Sequence, residues 1–141
     1  MKVSIVILTK NGRKYIKGVL DKVTNQRLDC DFEIIVIDSG SSDGTLGILK
    51  DYPIRFYNIR PQDFSHSKTR NFAVSLASGE YVVYLSQDAE PVDENWLKRL
   101  IAPLINDSST GAVFGKQVPS LDTNPVNSFR VRWIYGDDDL I

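Results

Sequence analysis

The chain has 141 residues, 42% of them hydrophobic and 25% charged, enough apolar material for one globular domain with a real core. That balance excludes a low-complexity or collagen-like chain, and 17 Lys and Arg against 18 Asp and Glu leave no basic surplus for nonspecific nucleic-acid binding. A single cysteine, Cys30, excludes an internal disulfide framework and a cysteine-rich zinc site. In chain order, Val3 to Leu8 (VSIVIL) is short, β-branched and apolar, the pattern of a strand covered on both faces. From Arg13 to Gln26 the period changes, and Tyr15, Ile16, Val19, Leu20 and Val23 share one helical face. Glu33 to Asp38 (EIIVID) is a second buried strand, and Asp43 is placed to cap a short helix carrying Leu46 and Leu49. Ile54 to Ile59 reads as a third strand, more exposed because Arg55 and Asn58 interrupt it. Ser65 predicts the start of a helix running through Leu76, with Gly79 as its C′ residue. Tyr81 to Ser86 (YVVYLS) is the fourth strand. Asp93 predicts a cap for a helix through Trp96, Leu97, Leu100 and Ile101, which Pro103 kinks or ends. Gly111 to Val118 reads as a weaker fifth strand, and Phe129 to Tyr135 fits strand or helix.

Strand and helix alternate with short connections, which predicts an α/β fold of βαβ units. Right-handed crossovers then give a doubly wound, mostly parallel sheet with helices on both faces. No run approaches the roughly 18 apolar residues of a membrane span. The N-terminus enters a strand directly and lacks the layout of a signal peptide, so the expected setting is the cytoplasm. Phe129, Val131, Trp133, Ile134 and Tyr135 make an apolar stretch beside the end of the chain, which predicts a single domain, 1–141, cut short of a partner element.

In open parallel sheets, ligands sit beyond the carboxyl ends of the strands, where strand order reverses. Thr9-Lys10-Asn11-Gly12 follows the first strand. Asp38 ends the second, before Ser39-Gly40-Ser41-Ser42-Asp43-Gly44, and Ser86-Gln87-Asp88 ends the fourth. A crossover helix starts at the same edge, here with His66 and Arg70 in its first turns. Thr9, Asp38, Arg70 and Asp88 are therefore predicted to surround one crevice. Asp88 is a hard oxygen ligand suited to Mg2+ or Mn2+, ions that take one or two carboxylates and fill the rest with water and substrate phosphate. Arg70 offers a planar fork to phosphate oxygens. Asp38 can accept from a base N–H or a ribose hydroxyl. Neither a G-x-x-x-x-G-K-[ST] loop nor a G-x-G-x-x-G follows the first strand, so phosphate recognition falls to metal and side chains. Plainer roles stand beside these. Asp38 and Asp43 fit caps, Asn11 fits a turn residue and Lys10 a solvated charge. Arg70 fits a structural ion pair with Asp38 or Asp88, Asp88 a surface turn acid, and His66 a structural histidine on Arg70's side of its helix.

With those residues in view, Val3 to about Gln117 resembles the amino-terminal part of a family 2, GT-A-fold glycosyltransferase. VSIVILTKNGR resembles the opening strand and turn, and IVIDSGSSDGT, Ile35 to Thr45, the second strand with its two aspartates. Thr69-Arg70-Asn71 through Gly79-Glu80-Tyr81 resembles the arginine-bearing helix, and Ser86-Gln87-Asp88 the Asp-x-Asp metal region with Ser86 in place of the first aspartate. Phe64-Ser65-His66, Thr-Arg-Asn and Gln-Asp-Ala are similar to a rhamnosyltransferase-like subgroup. The resemblance implies a nucleotide-sugar-binding core over 1–118 and the start of an acceptor-side region over 119–141. It implies inverting transfer of a sugar, rhamnose in that subgroup, from a UDP- or dTDP-linked donor to a glycan or lipid-linked acceptor. It places the protein in the cytoplasm, in peripheral association with the inner face of the membrane, and leaves the oligomeric state open. Donor contacts then fall on Thr9, Asn11, Asp38, Asp43, His66, Arg70, Ser86 and Gln87, with Asp88 holding Mg2+ or Mn2+. No residue matches the family's catalytic base, and Asp137 to Asp139 come too soon after Asp88. The chain is thus expected to bind donor without efficient transfer. The alternative is a noncatalytic nucleotide-sugar-binding module or an inactive fragment.

Overall fold

The computed structural model describes residues 1–119 and 123–135, and divides the chain into two compact units, Met1–Ala102 and Pro103–Ile141. In the first unit the apolar stretches form β1 (Lys2–Thr9), β2 (Asp31–Asp38), β3 (Arg55–Asn58) and β4 (Tyr81–Ser86), all parallel, in the order β3-β2-β1-β4. Between and after them come α1 (Ile16–Thr24), α2 (Thr45–Leu49), α3 (His66–Leu76) and α4 (Trp96–Asn106). Successive strand residues point to opposite faces, and both faces are apolar. Val3, Ile5, Ile7, Ile34, Val36 and Val83 pack with Ile16, Val19, Leu20 and Val23 of α1, Leu49 of α2, and Leu97 and Ile101 of α4. On the other face Val6, Ile35 and Ile37 pack with Ala73 of α3. Each such valine, leucine or isoleucine contributes about 1.5–3 kcal/mol of burial. The expected doubly wound sheet with helices on both faces is therefore what forms. Its strand order reverses between β1 and β4, which opens a crevice at their carboxyl ends.

Several local expectations are corrected. Gly44 (φ 97°), rather than Asp43, occupies the N-cap position of α2, a left-handed conformation that favours glycine. Asp43 instead accepts from the Thr45 amide at 3.0 Å, one position further out. Tyr15 is exposed rather than part of α1's buried face. Gly79 is not a left-handed C′ residue. Its place is set by close approach to β1, where a Cβ would stand 2.5 Å from the Ser4 nitrogen. Pro103 does not end α4, which runs on to Asn106. Gln26, buried at the end of α1, donates to the Lys22 and Asp93 carbonyls and accepts from the Leu97 amide at 2.8 Å, tying α1 to the start of α4.

In the second unit Gly111 to Val118 forms no strand. A strand needs a partner ladder, none is offered among the described residues, and Gly111 and Gly115 lower the intrinsic preference. The ambiguous stretch is a helix, α5 (Pro125–Tyr135), with Phe129 stacked near Trp133 and Trp133 79% exposed. Asp137 to Asp139 lie outside the described residues. Among the described residues no helix is long and apolar enough to cross a membrane.

Candidate functional site

The crevice at the ends of β1 and β4 is a cleft of about 300 Å3 in the first unit. Its apolar lining comes from Val6 and Leu8 of β1 and Leu85 of β4. Around them stand Thr9, Lys10, Ser39, Ser86, Gln87 and Asp88 from the strand ends, and Phe64, His66 and Arg70 from the start of α3. Tyr84 completes the wall. α3 is aimed here because Ser65 caps it, its hydroxyl accepting from the Lys68 amide at 3.2 Å. His66 and Arg70, one turn apart, thereby reach the same opening.

Of the residues expected to bind donor, Thr9, His66, Arg70, Ser86 and Gln87 meet in this cleft, and so does Asp88, expected to hold the metal. Asn11, Asp38 and Asp43 do not line it and instead build the adjoining loops. Asp38 is fully buried, and its carboxylate accepts from the Gly40 amide at 2.9 Å, the Ser41 amide at 2.8 Å and the Ser41 hydroxyl. Asn11 accepts from the Ser42 amide at 2.9 Å, while its own amide donates to the Ser41 hydroxyl at 2.7 Å. Asp43 accepts from the Arg13 amide at 3.0 Å and from the Thr45 hydroxyl at 2.5 Å. The Thr45 hydroxyl and these amides hold its carboxyl below the usual carboxylate range. Asn11 and Asp43 thus stitch the turn after β1 to the turn after β2, while Asp38 shapes the second turn from within.

Arg70 makes no ion pair among the described residues, so the structural pairing with Asp38 or Asp88 does not occur. Its guanidinium lies over the Tyr84 ring, 5.4 Å from the centroid, and the Tyr84 hydroxyl donates to the Arg70 carbonyl at 3.2 Å. That cation–π contact leaves the guanidinium's donors unspent among the described residues. Phe64 meets His66 edge to face at 5.1 Å. Asp88 is exposed, makes no ion pair among the described residues, and is the one carboxylate lining the cleft. No group of three or more His, Cys, Asp or Glu gathers anywhere among the described residues, so any ion here rests on Asp88, water and the substrate's own oxygens. That donor set fits Mg2+ or Mn2+, which retain waters and bind phosphate, and does not fit Zn2+.

Phe64, Tyr84, Ser39 and Lys10 were not expected in the site. Tyr84 carried a signal, because alternation along β4 puts it with Val82 and Ser86 on the face that α3 covers. Phe64 and Ser39 carried none beyond adjacency to the residues that were expected.

The glycosyl transferase family 2 pattern matches residues 4–136. O-antigen chain rhamnosyltransferase RfbN of Salmonella typhimurium is 37% identical over 143 residues, an alignment covering 100% of this chain and 45% of RfbN. O-antigen chain rhamnosyltransferase WbaN of Salmonella anatum is 37% identical over 110 residues, covering 77% of this chain and 35% of WbaN. The chain spans less than half the length of either relative. Among solved structures, Staphylococcus aureus TarS 1-349 in complex with UDP has a TM-score of 0.67 at 27% identity, over 85% of this chain and 38% of that one. The mannosyltransferase PcManGT from Pyrobaculum calidifontis, solved with GDP-Man and Mn2+, shares the fold at a TM-score of 0.59 and 21% identity, over 92% of this chain and 37% of that one.

Proposed function

The chain belongs to glycosyl transferase family 2, and from that membership we propose that its cleft binds the nucleoside diphosphate of an activated sugar. The protein that contains it then transfers the sugar, rhamnose on the strength of RfbN and WbaN, to a glycan or lipid-linked acceptor with inversion. The observation that carries this reading is one cleft, at the switch point of the sheet, holding a guanidinium and a carboxylate that are unpaired among the described residues, beside apolar side chains. A nucleoside diphosphate needs that combination: apolar surface for the nucleoside, donors for phosphate oxygens, and an oxygen ligand for the cation that accompanies phosphate. The UDP complex of TarS supports a nucleotide ligand for this fold.

In this reading Arg70, resting over Tyr84, donates to the diphosphate, and His66 and Lys10 add donors at the rim. Thr9, Ser86 and Gln87 border the site from the strand ends, Asn11 and Asp43 keep the two loops in register, and Asp38 shapes the turn after β2. Asp88 would hold Mg2+ or Mn2+, with the Ser86 hydroxyl nearby in sequence. Bound there, the ion would neutralise charge developing on the departing diphosphate. The acceptor hydroxyl needs a base, and none of the residues lining the cleft is placed in that role. We assign the base, the acceptor contacts and any membrane contact to the remainder of the protein, with residues 1–118 as the nucleotide-sugar-binding core, acting at the cytoplasmic face of a membrane. Ser86, standing where the family pattern has an aspartate, favours the second reading, a noncatalytic donor-binding module.

Calorimetric titration of the chain with UDP, dTDP and GDP, each with and without Mn2+, tests the first step. Metal-dependent binding of one of them is expected, and heat from none of them overturns the donor site. Sugar transfer by the longer protein separates the transferase from the noncatalytic module.

A further inference from the structure

Gln87 joins the two segments that a cation-bridged diphosphate would have to touch together. Its Oε1 accepts from the Thr9 hydroxyl at 2.7 Å and from the Lys10 amide at 3.0 Å, and its Nε2 donates to the Lys10 carbonyl at 3.3 Å. The β1–β4 ladder ends at Leu8 and Ser86, so the side-chain amide continues the pairing past the last backbone rung. Gly12 closes this arrangement from the other side. A Cβ there would stand 2.6 Å from Gln87 Oε1 and 2.8 Å from the Thr9 hydroxyl. Gly12 lies outside the left-handed region, so its lack of a side chain serves the approach of Gln87 rather than an unusual backbone.

Resting on the donor-site reading, we infer that Gln87 is a positioning residue. Its side chain locks the Thr9–Lys10 turn to the backbone immediately before Asp88 and so fixes the carboxylate against the opposite wall of the cleft. Its amide is spent on Thr9 and Lys10, and it acts on the ligand through them. The chemistry requires an amide here. An ionised carboxylate would still accept from Thr9 and the Lys10 amide, but its second oxygen would face the Lys10 carbonyl with no proton between them. A protonated Glu would restore the donor.

The test is a double-mutant cycle on the full chain, read as affinity for UDP, dTDP and GDP with Mn2+, alongside melting temperature. Gln87→Ala and Gly12→Ala should each weaken the metal-dependent affinity by roughly tenfold, the usual effect of removing a support behind a metal ligand. The double variant should fall no further than the weaker single one, because Gly12→Ala acts by displacing Gln87. Either single variant binding like wild type, or additive losses of about a hundredfold, overturns the inference. Gln87→Met, which keeps the length of the side chain but none of its hydrogen bonds, guards against a variant that merely folds badly. It should melt near wild type while losing metal-dependent affinity about as Gln87→Ala does, and wild-type affinity in it counts against the inference. Wild type binding none of the three nucleotides sinks the donor site and this inference with it, whereas binding that the variants leave untouched sinks this inference alone.

Discussion

At the C-terminal end of α3, four hydrogen bonds converge on the Glu33 carboxylate, from the Ser4 hydroxyl, the Ser78 amide and hydroxyl, and Arg55, each at 2.7 Å. The Arg55 guanidinium also donates to the Leu76 carbonyl at 2.8 Å, closing the helix end. At the N-terminal end of the same helix, Arg70 and Asp88 face a cleft and neither is ion-paired among the described residues. Both ends lie on one face of one sheet. At the first, polar groups satisfy one another and the result is stability; at the second they are left for something that arrives from solution. Exposed charges are ordinarily solvated, so it is the convergence of these groups on one cleft that marks the functional end.

The largest effect should come from breaking the satisfied end. Burial by itself would raise the Glu33 carboxyl, but the bonds from Ser4, Ser78 and Arg55 outweigh it and bring it from 4.5 down to about 2. Because the folded value lies below the ordinary one, the stabilisation is complete above about pH 5 and is lost as pH falls toward 2. At neutral pH it amounts to about 3 kcal/mol. Glu33→Gln should lower urea-unfolding stability by about that much at pH 7, and the gap to wild type should close on acidification. A gap that stays constant with pH would mean the carboxylate's charge is not what matters.

Asp88→Asn should do the reverse. Asp88 is exposed and unpaired among the described residues, so melting temperature should hold, while Mn2+-dependent nucleotide affinity falls by about 2 kcal/mol, the worth of a charged contact. Loss of stability without loss of affinity would erase the distinction between the two ends.

The sequence disclosed these regions unequally. Val3 to Leu8 and Glu33 to Asp38 were legible because a strand covered on both faces is apolar throughout, and the order of elements then predicted which ends would meet. That was enough to bring Thr9, Arg70, Ser86 and Asp88 to one edge. It could not separate Asp38, consumed by its own turn, from Asp88, because both are acids at strand ends and only the loop geometry differs. Glu33 was illegible for another reason. It reads as an ordinary charge at the start of a strand, and its importance comes from the register that sets it opposite Ser4 and from a loop 45 residues away. The fifth strand failed because a strand is a property of a pair, and Gly111 to Val118 has no partner among the described residues.

Arg70→Ala sharpens the comparison from within the cleft. It should cost about 1.5 kcal/mol of nucleotide affinity, roughly tenfold, with little change in stability. Arg70→Lys should recover only part of this, since lysine keeps the charge but neither the fork nor the stacking on Tyr84. Full recovery by lysine would mean that the cleft reads charge alone.

The smallest expected effect concerns Thr69, beside Arg70 on α3. Its hydroxyl is buried, with the residue 3% exposed, and it has no hydrogen-bond partner among the described residues. Ser4, equally buried below the other end of the helix, both donates to Glu33 and accepts from the Gly79 amide at 2.9 Å. The two hydroxyls should therefore respond to removal with opposite sign. Ser4→Ala leaves a buried carboxylate and an amide short of a partner and should destabilise. Thr69→Val keeps the branched shape, removes an unsatisfied group and should stabilise by about 1 kcal/mol, seen as a higher urea midpoint at unchanged slope. A lower midpoint for Thr69→Val would show that its hydroxyl is bonded to water or backbone in solution. The unspent polarity at this end of α3 would then be confined to the groups that line the cleft.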